Sequence, residues 1–161
     1  FTKLAYELSE QFDTPVFIKM CTRVSHSQSI VEPGDRIEVS KTYEKNPQKY
    51  IMMPGNAKRR HPVVEERTRL LAQWAETADI NRIEEGTDHK IGIITSSTSY
   101  QYVKEVLGDS VNILKLGMVN PLPKKLITEF ASKVETLYII EELDPVIEEQ
   151  VKSWGIKAIG K

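Results

Sequence analysis

Apolar residues occur at helical spacing near the start of the chain. They recur at every fourth position, at Leu4, Leu8 and Phe12. This spacing predicts the last turns of a helix over residues 2–12, which Pro15 ends because the residue before a proline disfavours helical backbone angles. Apolar side chains then alternate over residues 16–24, which predicts a strand. The chain therefore opens with one helix followed by one strand.

Polar residues and prolines interrupt any regular pattern from residue 25 to residue 56. An irregular stretch of this length is often an inter-domain or functional segment. Beyond it, a long helix is predicted to begin at Pro62, because proline is favoured in the first turn of a helix and the apolar residues after it share one face. We expect this helix to end near Asp79.

Short apolar runs alternate with helical patterns in the second part of the chain. Four strands are predicted, at residues 91–94, 111–116, 137–140 and 157–159. Three helices are predicted between them, at residues 100–107, 123–133 and 145–154. Near-continuous apolar strands that alternate with helices are typical of a parallel sheet covered on both faces. The predicted fold class is therefore α/β, with a three-layer domain over residues 88–161.

Composition narrows the class of protein. With 40% apolar and 28% charged residues in 161, the chain is neither disordered, collagen-like nor a coiled coil. Its 22 basic and 23 acidic residues give a net charge of −1. The chain therefore lacks the positive electrostatic field that attracts nucleic acid or an anionic membrane surface. One cysteine, Cys21, excludes an internal disulfide framework or an iron–sulfur cluster held by this chain alone, and is compatible with a reducing cytoplasm.

Because the chain starts inside an apparent helix without Met, we expect a piece of a longer protein.

Most catalytic signatures are missing, including phosphate-binding glycine loops, the zinc-protease motif and the serine nucleophile elbow. The hydroxyl-rich sequence 95–99 lies where a predicted strand turns into a helix, and such a helix start can hold an anion. We prefer N-capping by these Ser and Thr side chains, since no glycine there lets a phosphate approach closely. Asp144 before Pro145 is also predicted to be a cap. Glu141 and Glu142, adjacent on a strand, point to opposite faces and make a poor acid/base pair.

Two polar clusters are candidate sites. The first, Arg23, Ser25 and His26, follows the predicted strand at 16–24, and Arg can bind a carboxylate while His titrates near neutrality. Pairing of Arg23 with an acid elsewhere in the structure is an equally good interpretation. The second cluster is a basic sequence just before the predicted start of the long helix, containing Asn56, Arg59, Arg60 and His61. Cations fit poorly at a helix N-terminus, which suggests acidic groups on another segment, subunit or ligand as partners. Cys21 is interpreted as a small buried apolar residue of its strand.

Five sequences in order resemble one family. They are residues 14–27 (TPVFIKMCTRVSHS), 53–62 (MPGNAKRRHP), 93–100 (IITSSTSY), 116–123 (LGMVNPLP) and 141–144 (EELD). Together they are similar to the α subunit of archaeal and bacterial indolepyruvate:ferredoxin oxidoreductase, a thiamine-diphosphate-dependent enzyme. The resemblance covers essentially the whole chain and implies an internal fragment of that subunit.

The resemblance implies a domain organisation. Residues 1–45 correspond to the C-terminal part of a pyrimidine-binding domain, 46–87 to a connector with its helix, and 88–161 to a domain like the C-terminal domain of transketolase. The intact enzyme carries thiamine diphosphate, Mg²⁺ and 4Fe-4S clusters. Their ligands are expected outside this chain, so that no cofactor or metal is held by the fragment itself.

The resemblance also implies an activity. The intact enzyme oxidatively decarboxylates aryl pyruvates with coenzyme A, giving an aryl-acetyl-CoA and reduced ferredoxin, and the cofactor supplies the difficult chemistry. Its partners are the rest of the α chain, the β subunit, ferredoxin and coenzyme A, with no nucleic acid and no membrane. The fragment alone is expected to be inactive. Arg23, Ser25 and His26 are carried over as residues near the substrate or cofactor, and Asn56, Arg59, Arg60 and His61 as interface residues.

Two alternatives remain open. The chain could belong to another thiamine-diphosphate 2-oxoacid:ferredoxin oxidoreductase, which differs in substrate preference. It could also be a free-standing α/β module that binds an anion at the helix start near Ser97.

Overall fold

The two parts of the chain differ in how much regular structure they contain. A computed structural model describes all 161 residues, which divide into one unit over residues 1–67 and a second over residues 68–161. Four helices begin in the first unit, namely α1 (Thr2–Phe12), α2 (Thr22–Ser25), α3 (Pro47–Tyr50) and α4 (Pro54–Ala75). The predicted helix over residues 2–12 is confirmed as α1. None of the helices in the chain combines the length and the hydrophobicity that a bilayer crossing needs.

The strand predicted over residues 16–24 is wrong. Residues 15–21 have no ladder partner, and α2 begins at Thr22 within the predicted range. A strand is stable only when its backbone groups pair with a neighbour, and none is available in this unit. Leu8 is the one fully buried residue among the first 67, while the side chain of Phe17 is 91% exposed. The first unit therefore has no apolar core of its own.

The long helix α4 begins eight residues earlier than expected. Its first residue is Pro54, and Pro62 lies inside the helix. Proline is favoured in the first turn of a helix, and in this helix Pro54 occupies that turn while Pro62 does not. Pro62 has no N–H to donate within the helix, and the chain continues helical through it nonetheless. The helix ends at Ala75 instead of near Asp79.

The second unit contains a four-stranded sheet and three helices. Its elements are β1 (Arg82–Glu84), β2 (Asp88–Ser96), α5 (Ser97–Leu107), β3 (Val111–Leu116), α6 (Lys124–Ser132), β4 (Thr136–Ile140) and α7 (Val146–Ser153). The strand order is β1-β3-β2-β4, with β1 antiparallel and the other neighbours parallel. The strands at 91–94, 111–116 and 137–140 and the three helices are confirmed. The strand predicted over residues 157–159 is only an isolated bridge, between Ile159 and Tyr138. The strand β1 was not predicted from the sequence.

Alternate residues of each central strand pack on opposite faces of the sheet. On β2, Ile94 packs with apolar residues of α6 and α7, whereas Ile93 packs with residues of α5. On β3, Leu114 and Ile113 divide between the same two layers. Helices therefore cover both faces, which confirms the predicted three-layer α/β class with a mostly parallel sheet.

Candidate functional site

Three candidate residues of the first cluster lie on one short helical turn. Arg23 and Ser25 belong to α2, and His26 is its C-cap. All three are exposed, and the Ser25 hydroxyl donates to the carbonyl oxygen of Cys21 at 3.2 Å. The structure gives Arg23 no acidic partner, so its interpretation as half of an internal ion pair finds no support. Cys21 is half-buried at the N-cap of α2, so its interpretation as a buried strand residue is wrong.

The second cluster lies in the first two turns of α4. The side-chain Nδ2 of Asn56 donates to the carbonyl oxygen of Ile51 at 2.9 Å, and Arg59 donates to the side-chain oxygen of Asn56 at 2.9 Å. His61 lies 3.7 Å from the Glu65 carboxylate, one turn along the helix. These side chains are thus held largely by neighbours on or beside their own helix.

Asp13 is the acidic partner that part of this basic sequence needs. It ends α1 with a left-handed backbone at φ 49°. Its carboxylate accepts a hydrogen bond from Lys49 at 2.6 Å and another from Arg67, and Arg60 lies 3.8 Å away. The hydrogen bond from Lys49 lowers the pKa of the Asp13 carboxyl group, and the nearby guanidinium groups lower it further. Three cations from α3 and α4 therefore converge on one carboxylate, within a single unit.

A larger polar network lies in the second unit, where α5 covers β1 and β3. The Glu84 carboxylate accepts from the Tyr100 hydroxyl at 2.8 Å and from Arg82 at 2.9 Å, and it lies 3.2 Å from the Lys104 ammonium. Burial opposes ionisation of Glu84, but these hydrogen bonds outweigh it and lower the pKa of its carboxyl group. Lys104 also donates to Asp109 at 2.6 Å. This network holds α5 on the sheet.

Lys115 lies beside this network and interacts electrostatically with Glu84. Its ammonium lies over the Tyr100 ring, 5.0 Å from the ring centre. Burial lowers the pKa of the Lys115 amine and the neighbouring charge of Arg82 lowers it further, while the Glu84 carboxylate opposes both effects without cancelling them. Across the sheet, Lys115 is opposite Arg82 on one side and Thr95 on the other. Thr95 is fully buried, and its hydroxyl has no hydrogen-bond partner.

The first turn of α5 is not capped as the sequence predicts. Ser96 is the N-cap residue, and its side chain makes no capping hydrogen bond. The Thr98 hydroxyl lies 3.5 Å from the Glu142 carboxylate, at the limit for a hydrogen bond. The capping interpretation of residues 95–99 is therefore wrong, and the first amide groups of α5 have no side-chain partner.

Carboxylates cap the helices α6 and α7. The one at α6 is distant in the sequence, and the one at α7 lies outside the usual N-cap position. The backbone amides of Lys125 and Leu126, at the start of α6, donate to Glu76 at 2.9 and 2.7 Å. The amides of Ile147 and Glu148, at the start of α7, donate to Glu141 at 2.9 and 3.0 Å. Sequence reasoning missed both caps, and it wrongly assigned the α7 cap to Asp144, since Pro145 is the N-cap residue and has no side-chain cap.

No group of three His, Cys, Asp or Glu side chains in the chain is arranged to hold a metal ion. Cys21 is the sole cysteine and is free. One cysteine cannot supply the several thiolates by which an iron–sulfur cluster is held. The carboxylates of Glu76 and Glu141 cap helices, and that of Glu84 accepts a hydrogen bond from Tyr100.

Several known proteins with sequences similar to this chain carry the same name. Indolepyruvate oxidoreductase subunit IorA of Thermococcus kodakarensis is 38% identical over 165 residues, which cover 96% of this chain and 26% of that protein. The proteins of the same name from Pyrococcus horikoshii and Archaeoglobus fulgidus are 38% and 32% identical over 95% and 99% of this chain. The chain thus spans about a quarter of the length of these relatives. No family model matches it.

Among solved structures, a 2-oxoglutarate:ferredoxin oxidoreductase from Magnetococcus marinus is similar with a TM-score of 0.48 and 16% identity. The similarity covers 68% of this chain and 20% of that protein.

Proposed function

This chain is homologous to part of the IorA subunit of indolepyruvate oxidoreductase, and we propose that it forms a structural, non-catalytic segment of such a subunit. The observation that carries the proposal is the 38% identity over 96% of the chain. Identity at this level over 165 residues extends through both units, so the two parts of the chain belong to one protein of this kind.

The contacts of the carboxylates support a structural role. Glu76 and Glu141 cap helices, Glu84 joins a network of hydrogen bonds, and Glu148 is buried against Lys152. A general acid or base needs a proton that can move to a substrate, and these groups are held by amides and cations. Their lone pairs are used to position α6, α7 and α5.

For the intact enzyme, we propose the reaction that the resemblance implies. Aryl pyruvates are oxidatively decarboxylated with coenzyme A, and ferredoxin accepts the electrons. Thiamine diphosphate supplies the chemistry at the substrate carbon, and Mg²⁺ and 4Fe-4S clusters complete the cofactor set. Because a cluster needs several cysteine ligands and this chain has one cysteine, we propose that the clusters, and with them the other cofactors, are held by other parts of the full-length protein.

The first unit is proposed to be completed by neighbouring segments. Leu8 is its one buried residue, and the side chains of Phe17 and Ile30 are 91% and 96% exposed. Exposed apolar side chains that lie together mark surfaces that contact other protein segments. We assign residues 1–45 to the end of a pyrimidine-binding domain, 46–87 to a connector and 88–161 to a transketolase C-terminal-like domain. Arg23, Ser25 and His26 are proposed to lie near the substrate or cofactor, and Asn56, Arg59, Arg60 and His61 near a neighbouring segment or subunit.

The test is an activity comparison on the full-length protein, purified with its second subunit. We expect dye reduction that requires both indolepyruvate and coenzyme A and is faster than with pyruvate or 2-oxoglutarate. The 161-residue chain alone is expected to show none. A full-length enzyme that prefers 2-oxoglutarate would move the assignment to another 2-oxoacid oxidoreductase, and turnover by the chain alone would contradict a structural role.

A further inference from the structure

The helical layer on one face of the sheet stops short of β4. Tyr138 and Ile140 of β4 are register partners of Ile93 and Thr95 of β2, so these four side chains share one face. Ile93 packs under α5 and Thr95 is fully buried, whereas Tyr138 and Ile140 are each more than a third exposed. On the opposite face, α6 and α7 cover the sheet as far as β4. The layer that contains α5 is therefore narrower than the other layer.

Ile159 extends this exposed face beyond β4. Its backbone amide donates to the carbonyl of Leu137 at 2.9 Å, and its carbonyl accepts from the amide of Ile139 at 2.8 Å. Its partner in the parallel bridge is Tyr138, so its side chain lies on the α5 face, where it is more than half exposed. The preceding residue, Ala158, packs on the opposite face, as the alternation of an extended chain requires.

The neighbouring flank of α5 is also apolar. Tyr100 and Lys104 contact Glu84 of β1, so they mark the flank of α5 that faces β1. Tyr102 and Val106 each follow one of these residues by two positions, which is about 200° around a helix. They therefore lie on the flank that faces β4, at the other side of the sheet, and both are more than half exposed. The name β4 trough is used below for the surface formed by Tyr102, Val106, Tyr138, Ile140 and Ile159.

Charges at the two ends of the β4 trough match the dipole of a helix. Glu142 follows Ile140 by two positions, and its carboxylate lies 3.5 Å from the Thr98 hydroxyl in the first turn of α5, on this face. Lys157 precedes Ile159 by two positions and so shares its face, at the amino end of β4. A helix antiparallel to β4 places its positive N-terminal end at Glu142 and its negative C-terminal end at Lys157. The helix α5 has the same direction, because it connects the parallel strands β2 and β3.

We propose that the β4 trough binds an amphipathic helix that runs antiparallel to β4 and belongs to the same full-length polypeptide, outside these 161 residues. The inference rests on the proposed function, since this chain spans about a quarter of the length of the relatives named IorA. Apolar residues of the helix, three and four positions apart, pack between Val106 and Ile159. Lys161 does not offset the charge of Glu142, because it interacts with Glu148 of α7.

Cysteine labelling of the full-length enzyme tests whether the β4 trough is covered. Val106→Cys and Glu105→Cys replace adjacent exposed residues of α5. Glu105 is two positions from the sheet-facing Val103 and Leu107, so it lies on the outer surface of the helix. Maleimide is expected to label the thiol at position 106 at least about tenfold more slowly than the thiol at position 105, because the covering helix must first move away. Equal labelling rates at the two positions overturn the proposal.

Photo-cross-linking identifies what covers the trough. A benzophenone amino acid replaces Tyr102 in the full-length enzyme, and mass spectrometry identifies the linked peptide. We expect a peptide of the same polypeptide from outside residues 1–161, with apolar residues three and four positions apart. An equal mixture of isotopically light and heavy subunits distinguishes a link within one polypeptide from a link between two copies, and the same amino acid at Glu105 is the control. A link to a second copy, to the other subunit or within residues 1–161, or no link from position 102, overturns the proposal.

Charge reversal tests the direction of the bound helix. In the Val106→Cys protein, Glu142→Lys places a cation at the N-terminal end of the helix and is expected to speed labelling about two- to fivefold. Glu149→Lys is the matched control, since it reverses an exposed acid in the first turn of α7, on the other face of the sheet, and leaves the rate unchanged. Equal rates in the two variants overturn the proposal. An enzyme that prefers indolepyruvate while position 106 labels freely overturns this inference alone, whereas slow labelling in an enzyme that prefers 2-oxoglutarate contradicts only the proposed substrate.

Discussion

The carboxylate of Glu148 occupies the space that a side chain at Gly160 would need. A β-carbon at position 160 would overlap the Glu148 carboxyl group. That carboxylate accepts a hydrogen bond from the backbone amide of Lys161 at 2.9 Å and pairs with Lys152. Glu148 is only 4% exposed, and the same segment pairs Ile159 with β4. Glu148 therefore fixes the last residues of the chain against the sheet.

Gly160→Ala is expected to lower the free energy of unfolding of the second unit by about 1–3 kcal/mol, because a buried hydrogen-bond network must reorganise. The overlap involves the end of a flexible side chain, so Glu148 can rotate away but loses its contacts with Lys161 and Lys152. A double-mutant cycle in urea unfolding checks this cause. In a Glu148→Ala background the cost of Gly160→Ala is expected to vanish. Equal costs in both backgrounds would show that Glu148 is not responsible.

Gly86→Ala is expected to be more damaging than Gly160→Ala. A β-carbon at position 86 would lie 2.5 Å from the backbone nitrogen of Val111 and closer still to its carbonyl group. Backbone cannot rotate away as a side chain can, so the start of β3 must shift. Gly55→Ala is the control, since nothing lies near that position in α4 and alanine favours helix by up to about 1 kcal/mol. The urea midpoints are expected to decrease in the order Gly55→Ala, wild type, Gly160→Ala and Gly86→Ala.

Local patterns predicted the second unit well because its strands and helices are long enough to show their periods. β2 and β3 are buried on both faces, and their apolar runs predict strands without knowledge of their neighbours. The three-residue β1 is too short for a pattern and depends on pairing with β3. The strand expected over residues 16–24 has the right composition and no partner. Strand formation depends on a neighbour that a local sequence does not describe.

The polar contacts were less predictable because they join distant positions. Asp13 contacts Lys49 and Arg67, which are 36 and 54 residues away. The need for an acid near the basic sequence at Arg60 could be inferred from the helix dipole, but the acid itself could not. Glu76 caps α6 from 49 residues away, which no local capping rule anticipates. The orphaned hydroxyl of Thr95 becomes apparent only when β2, β3 and α5 are assembled.

Leu143→Gly is expected to stabilise the chain. Leu143 has a left-handed backbone at φ 62°, and its side chain is 73% exposed. This conformation costs a branched residue roughly 1–2 kcal/mol, whereas the added freedom of glycine in the unfolded chain costs about 0.4–1 kcal/mol. A net gain of about 1 kcal/mol in urea unfolding is therefore expected. Leu143→Ala keeps the β-carbon and should give none of this gain. Equal stabilisation by both changes would exclude backbone strain as the cause.

Acidification is expected to loosen the attachment of α1. Because the pKa of Asp13 is lowered in the folded protein from its ordinary value of 3.8, its ion pairs stabilise the first unit above that pH. This contribution is lost as the pH falls through 3.8 toward the lower folded value. The carboxylate is about half exposed, so solvent screening keeps the effect modest.

Hydrogen exchange of the α1 amides in wild type and Asp13→Asn measures this dependence. We expect greater protection in the wild type at about pH 6, and we expect the difference to shrink as the pH falls below 3.8 and the carboxylate becomes protonated. Glu10→Gln, at another acid of α1 with a single exposed partner in Lys41, serves as the control. A difference between wild type and Asp13→Asn that persists unchanged at low pH would show that charge is not involved.

Arg23→Ala distinguishes a substrate contact from a structural one in the full-length enzyme. Arg23 is exposed and has no acidic partner here, so its removal should leave the thermal stability unchanged. If its guanidinium binds the carboxylate of a 2-oxo acid, loss of that charge-assisted pair raises KM about tenfold or more, with a smaller change in kcat. Arg23→Lys should recover part of the affinity, because lysine keeps the charge and loses the two-pronged geometry. Arg36→Ala, which removes another exposed guanidinium, here paired with Glu38, is the control and should leave KM unchanged. Lowered stability with an unchanged KM would instead assign Arg23 to the framework of the neighbouring domain.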